Sequence, residues 1–205
     1  MTNATELQTA TSPREVWDLL RAGNERFATG SPVAPNRDSE TLQQLTSGQN
    51  PAVCVIGSDS RVPVELLFDA GFGDIFVIRT AGGCVDSTVS ASVEFAVYGL
   101  GVDLVLFLSH EKCGAVGSAV QAFESGEIPH GLTRLFVEKI APSIVEAEKR
   151  GEQVEQAHAR HGAEHLVARI PAVVTGLEER RIGVVGARYR LSDGRVETTY
   201  ENFGD

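Results

Sequence analysis

Two short apolar segments, each ending abruptly in polar residues, constrain the fold of this chain more than any other feature. Residues 53–56 and 104–108 are entirely apolar. A run that is apolar on both faces is typical of a strand buried inside a parallel sheet. The residues that follow the two runs include Asp59, Arg61, His110 and Cys113. Because reactive groups gather where the strands of such a sheet end, we expect these side chains to share one site.

Predicted strands and helices alternate through the rest of the chain. The predicted strands are 52–56, 74–78, 104–108 and 182–187, the helices between them are 64–70, 86–100 and 115–123, and a hairpin turn falls at 190–197. This alternation predicts an α/β fold with a parallel-core sheet flanked by helices. Two further segments, 132–149 and 154–180, are helix-rich, with Pro142 and Pro171 as predicted kinks or breaks.

The whole chain is predicted to form a single domain. Residues 1–50 form an N-terminal helical arm, residues 51–123 the catalytic core, and residues 124–205 the remaining helices with the last strand and hairpin. Within the arm, Ser12 and Pro13 are typical of a helix start, and an apolar stripe follows over 13–27. This helix lies outside the strand–helix alternation, so we expect it to pack on a second subunit as a dimerising helix.

Composition excludes several classes of function. The formal net charge of -10 argues against nucleic acid and anionic membrane as partners. No apolar run approaches the roughly 18 residues of a membrane span, and the first residues have neither the basic start nor the apolar core of a secretory signal. Three cysteines do not make a disulfide framework. Reduced thiols in a cytoplasmic protein are therefore expected.

The polar residues after the two apolar runs are of metal-ligand types. His110 and Cys113 lie three residues apart, and an imidazole and a thiolate delivered by one strand end can bind a cation such as zinc. Asp59 and Arg61 lie two apart, so an extended segment places them on one side. The alternatives are a structural histidine beside a buried cysteine, and a structural ion pair.

The pattern resembles the β-class carbonic anhydrases, whose signature is C-x-D-S-R followed further along the chain by H-x-x-C-G. The matching segments here are Asp59-Ser60-Arg61, Arg79-Thr80-Ala81-Gly82 and His110-Glu111-Lys112-Cys113-Gly114. The resemblance implies hydration of carbon dioxide to bicarbonate by a zinc-bound hydroxide, with Asp59 and Arg61 as catalytic residues. It also implies a homodimer or a dimer of dimers, and a role for Gly82 in close backbone approach at the site entrance.

One position departs from that signature. The zinc-ligating cysteine of the family falls on Gly57, which has no side chain to offer. The remaining metal ligands are His110, Cys113 and Asp59, with Cys84 as a weak candidate. Cys54 is expected on the opposite strand face, and neutral Ser58 is a poor ligand.

The consequence of this departure is a weaker site. A hard carboxylate in place of a soft thiolate should hold zinc less firmly and slow the reaction. The alternative is a zinc-deficient homologue that serves as a binding or regulatory module.

A second motif competes with this interpretation. The segment from His161 to His165 matches H-x-x-E-H, the inverted zinc-protease signature. No other motif supplies a third ligand, so we reject a protease. With His158, these histidines are expected on a solvated helix face.

Overall fold

The computed structural model describes residues 5–57 and 59–204, and in these residues five strands form one sheet in the order β2-β1-β3-β4-β5. Ser58, considered above as a ligand, lies outside them. The strands are β1 (Val53–Ile56), β2 (Ile75–Ile78), β3 (Leu104–His110), β4 (Gly183–Tyr189) and β5 (Val196–Asn202). The first four are mutually parallel and β5 is antiparallel to β4. The predicted α/β fold with a parallel-core sheet is confirmed.

Helices cover both faces of the sheet. They are α1 (Glu6–Thr9), α2 (Pro13–Ala28), α3 (Ser39–Gln44), α4 (Val64–Leu67), α5 (Ser87–Glu94), α6 (Gly114–Ser125), α7 (Arg134–Arg150), α8 (Val154–Arg169) and α9 (Pro171–Glu178). Because side chains alternate along a strand, Val53 and Val55 pack on the face that holds α2 and α4, whereas Cys54 and Ile56 pack on the face that holds α5, α8 and α9. The apolar sequence runs are therefore buried on both sides.

The N-terminal helix α2 packs on the sheet of its own chain. Val16, Trp17 and Leu20 are almost completely buried against this sheet without any second subunit. The expectation that this helix packs away from the sheet of its own chain is therefore wrong. The crossover helix predicted at 64–70 is only four residues long as α4, so it leaves much of that sheet face to α2. A dimerising role for α2 stays a prediction.

The two prolines behave differently. Pro171 does separate two helices, since it is the first residue of α9. Pro142 does not end α7, which continues to Arg150. On either side of Pro142, Ile140 and Ile144 are buried, and this packing stabilises a helix that proline alone would disfavour.

The hairpin between β4 and β5 forms as predicted. The Arg190 amide donates to the Arg195 carbonyl at 2.8 Å, and Gly194 takes a left-handed conformation in the turn. In the described part of the chain, no helix is both long enough and apolar enough to cross a membrane.

Candidate active site

The carboxyl ends of β1 and β3 bring Asp59 and His110 together. The two strands are parallel neighbours with Ile56 beside Phe107. The segments that follow them therefore leave the sheet at the same end. Asp59 Oδ2 lies 3.5 Å from His110 Nε2. This geometry agrees with the prediction from the sequence that Asp59 and His110 lie close together.

Arg61 holds the Asp59 carboxylate through both oxygens. Its Nε donates to Oδ1 at 2.8 Å and its Nη2 donates to Oδ2 at 2.7 Å. The Arg61 backbone amide also donates to Oδ1 at 2.8 Å. The hydrogen bonds from Arg61 keep the pKa of Asp59 far below its usual range, although partial burial opposes this effect. Asp59 is therefore an oriented acceptor that is ionised near neutral pH.

Arg79 fixes the backbone around this pair. Directly after β2, its guanidinium donates to the Asp59 carbonyl at 2.6 Å and to the Val62 carbonyl at 3.3 Å. The sequence placed Arg79 in a family motif but gave it no role. Its position directly after β2, which neighbours β1, was the sequence feature that could have indicated a place near Asp59.

His110 presents one ring nitrogen with no hydrogen-bond partner. The side chain is buried, and Nδ1 donates to the Glu111 carbonyl at 2.9 Å. In the neutral ring this bond leaves the Nε2 lone pair free, and Nε2 is buried without a hydrogen-bond partner among the described residues. Burial lowers the pKa of His110, but Cys113, the Glu111 carbonyl and Asp59 raise it by more. A buried, oriented and unpartnered nitrogen is typical of a metal ligand.

Cys113 lies at the N-terminus of α6, beside the imidazole of His110. Burial raises the pKa of this thiol, but His110 and the backbone amides of Val116 and Ala115 lower it by more. The net direction favours the thiolate, which is the form that binds metals.

The backbone around Gly57 has no space for a Cβ atom at this position. It is buried, and its amide donates to the Ile78 carbonyl at 3.0 Å. A Cβ on Gly57 would meet the carbonyl oxygen of Leu108 well inside 3.0 Å, a contact that real Cβ atoms essentially never show. The backbones of β1 and β3 therefore meet where a ligand side chain would begin.

The other two cysteines differ in their surroundings. Cys54 is completely buried on the α8 face of the sheet, and burial raises the pKa of its thiol to about 12. Cys84 is half-buried, and burial also raises the pKa of its thiol. Neither is a preformed thiolate.

Helix α8 is not the solvated face that the sequence suggested. His158 and Arg160 are buried, because α8 packs between α7 and strands β3 and β4. In the described residues, the one group of three His, Cys, Asp or Glu side chains with ligand atoms all within 4.8 Å of one another is Glu146, His161 and Glu164. All three are half-exposed, and Glu146 already pairs with Arg150 and Arg160.

A parallel α/β sheet with an Asp–Arg pair and a His–Cys pair at its carboxyl edge defines the fold and site of a β-carbonic anhydrase. The chain belongs to this family: the family model described as "Carbonic anhydrase" matches residues 52–196.

Sequence relatives agree with this assignment, and solved structures share the fold. A carbonic anhydrase of Mycolicibacterium smegmatis is 41% identical, with 91% of this chain and 93% of the relative covered. Carbonic anhydrase 2 of Mycobacterium tuberculosis is 40% identical, with 91% and 92% covered. A Coccomyxa β-carbonic anhydrase, solved with acetazolamide, superposes with a TM-score of 0.69 at 20% identity over 93% of this chain and 85% of that one. A tetrameric β-carbonic anhydrase of Sordaria macrospora gives 0.68 at 23% identity over 77% and 84%.

Proposed function

We propose that this chain catalyses the reversible hydration of carbon dioxide to bicarbonate, at a zinc site that Gly57 weakens. Family membership supports the reaction. The observation that carries the proposal is the buried His110 Nε2, which has no hydrogen-bond partner among the described residues and lies 3.5 Å from the ionised Asp59 carboxylate.

The donors present fit a zinc ion in type. Imidazole, thiolate and carboxylate are the ligands that zinc takes in proteins. Two ligands of one tetrahedral zinc lie roughly 3.3–3.6 Å apart when each bond is about 2.0–2.2 Å, and the separation of His110 Nε2 from Asp59 Oδ2 is 3.5 Å. His110, Cys113 and Asp59 would therefore hold the ion.

Zinc, when bound, would lower the pKa of a water molecule towards about 7 and so supply the nucleophile. The rest of the chemistry belongs to side chains of this chain. Asp59, kept ionised by Arg61, can accept a hydrogen bond from that water and orient it. The bond from His110 Nδ1 to the Glu111 carbonyl fixes the tautomer that leaves Nε2 free as a ligand.

The weakness of the site follows from the double use of Asp59. As the third ligand it is less available to orient water. Asp59, His110 and Cys113 also do not all lie within 4.8 Å of one another, so they would have to approach to share one ion. Cys84, the weak sequence candidate, would likewise have to move.

A second candidate function is a zinc-deficient homologue that binds or regulates. The position of the Leu108 carbonyl oxygen favours it, because a ligand side chain at position 57 would collide with this backbone atom. In both cases we propose a homodimer or dimer of dimers, as the tetrameric Sordaria macrospora relative suggests.

Stopped-flow hydration assays test the choice. The protein is assayed with zinc supplied and after chelation, with His110→Ala as the matched control because it removes the free Nε2. We expect slow hydration that requires zinc and disappears in the control. Hydration equal to that of buffer, with zinc supplied, would contradict the proposal and favour the second candidate.

A further inference from the structure

A buried hydrogen-bond chain connects two helices to the backbone beside the candidate active site. Its centre is His158 on α8, which is 4% exposed. His158 Nε2 lies 2.6 Å from the Gly82 carbonyl oxygen, and His158 Nδ1 lies 3.1 Å from the hydroxyl of Ser143 on α7. Ser143 is completely buried. The chain therefore runs from α7 through α8 to the turn at Ala81–Gly83.

The partners of His158 determine its protonation. A carbonyl oxygen only accepts, so Nε2 carries the proton and donates to Gly82. Burial lowers the pKa of His158, which favours the neutral ring. Nδ1 then accepts from the Ser143 hydroxyl. Both ring nitrogens of His158 are hydrogen-bonded in one arrangement, so the ring can hold the turn in a single position.

The turn that His158 holds lies directly on β3. Gly82 and Gly83 have φ angles of 67° and 62°, which side chains rarely adopt. A Cβ on Gly83 would come within 2.7 Å of the Phe107 ring, so the backbone rests against this ring. The His158 ring meets the same Phe107 ring edge to face, with centroids 5.5 Å apart.

The same turn forms a wall of the candidate active site. The turn and the site line the same cavity of about 10 Å³, and its lining includes Gly82, His158, His110 and Cys113. This volume holds at most about one water molecule. A shift of the turn by even a fraction of that space would change the surroundings of His110 and Cys113.

We propose that His158 is a positioning residue that holds the Gly82 turn against the His110–Cys113 corner. This inference rests on the proposed function for its effect on hydration. His158 itself touches no reacting atom; it acts through the Gly82 carbonyl. Loss of a group that orients a ligand shell commonly costs about 10–100-fold in activity or metal affinity.

Three variants separate positioning from packing. His158→Leu keeps an apolar group of similar size but removes the donor to Gly82. His158→Gln restores an N–H at similar reach, and Ser143→Ala removes only the bond to Nδ1. Leu166→Ala is the matched control. Leu166 is buried on the same helix, and its side chain has no atom that could hydrogen-bond to the turn.

Two readouts are measured on the zinc-loaded protein. The first is kcat separately from KM for hydration, and the second is hydrogen exchange of the Gly83 amide, which donates to the Thr80 carbonyl at 3.0 Å. We expect His158→Leu to lower kcat about 10-fold and to speed Gly83 exchange, His158→Gln to recover most of both, and Ser143→Ala to fall between them. Leu166→Ala should lower stability without a selective change at Gly83.

Unchanged Gly83 exchange in both His158→Leu and Ser143→Ala would overturn the proposal, as would equal losses in the leucine and glutamine variants. If His158→Leu does not fold, Ser143→Ala and His158→Gln decide the outcome. If the unaltered protein shows no zinc-dependent hydration, the proposed function fails, whereas Gly83 exchange still decides whether His158 holds the turn.

Discussion

The backbone carbonyl oxygen of Leu108 lies where a side chain on Gly57 would begin, well inside the 3.0 Å that real Cβ atoms keep. Gly57 therefore does more than remove a ligand. Glycine at position 57 permits this close approach between the ends of β1 and β3. Replacing Gly57 carries a steric cost as well as a chemical gain.

The steric cost is measured with Gly57→Ala. The clash between the alanine methyl group and a backbone carbonyl cannot be relieved by rotating a side chain. We therefore expect a loss of about 1–3 kcal/mol in the free energy of unfolding. Chemical denaturation of the metal-free protein measures it. Gly114→Ala is the matched control, because a Cβ there meets no atom within 4 Å. An alanine at position 57 that left stability unchanged would show that the two strands separate at no cost.

The Asp59–Arg61 pair should make the free energy of unfolding fall at acidic pH. The pKa of Asp59 is lower in the folded chain than its ordinary value, chiefly because Arg61 hydrogen-bonds it. The stabilisation is therefore fully present above the unfolded aspartate pKa of about 3.9 and is lost as the pH falls through the folded value. Asp59→Asn should flatten this loss below pH about 4.

Denaturation of the metal-free protein at a series of pH values checks this prediction. Asp18→Asn is the control, since Asp18 forms an exposed ion pair with Arg21. An identical loss of stability at acidic pH in Asp59→Asn and the unaltered chain would contradict the prediction.

Zinc affinity should depend on Asp59 more strongly in the unaltered chain than in the Gly57→Cys variant. If Asp59 is the third ligand, Asp59→Asn should weaken zinc binding by at least about 10-fold in the unaltered chain, because loss of a ligand costs more than loss of an orienting group. In the Gly57→Cys background a thiolate takes that place, so the same substitution should matter less. Competition titrations on the four proteins measure the coupling. Equal effects of Asp59→Asn in both backgrounds would remove Asp59 from the ligand set.

Oligomerisation is the prediction that concerns the whole molecule. We expect a mass of twice or four times that of the chain at micromolar concentration, measured by light scattering. Monomers under these conditions would contradict it. An exposed apolar face on α2 is not the basis of this prediction, because Trp17 and Leu20 are already buried within one chain.

The sequence predicted the parts of this structure that depend on local pattern. The apolar runs became β1 and β3, and the polar residues after them gathered at one sheet edge because parallel strands end together. The long-range relations could not be predicted. The bond from His158 to Gly82 joins residues 76 positions apart, and its sequence neighbourhood is typical of an exposed helix face. The amphipathic pattern of α2 showed that a stripe must be covered, but not which surface covers it.

We propose that Gly57 leaves a zinc site that is present but weak. The most direct test is the zinc content and zinc affinity of the purified protein beside Gly57→Cys, with Gly57→Ala as the steric control. We expect substoichiometric zinc in the unaltered chain and in the alanine variant, and binding at least about 10–100-fold tighter in the cysteine variant, with faster hydration. One tightly held zinc per chain in the unaltered protein, at full hydration activity and unchanged by Gly57→Cys, would contradict the account.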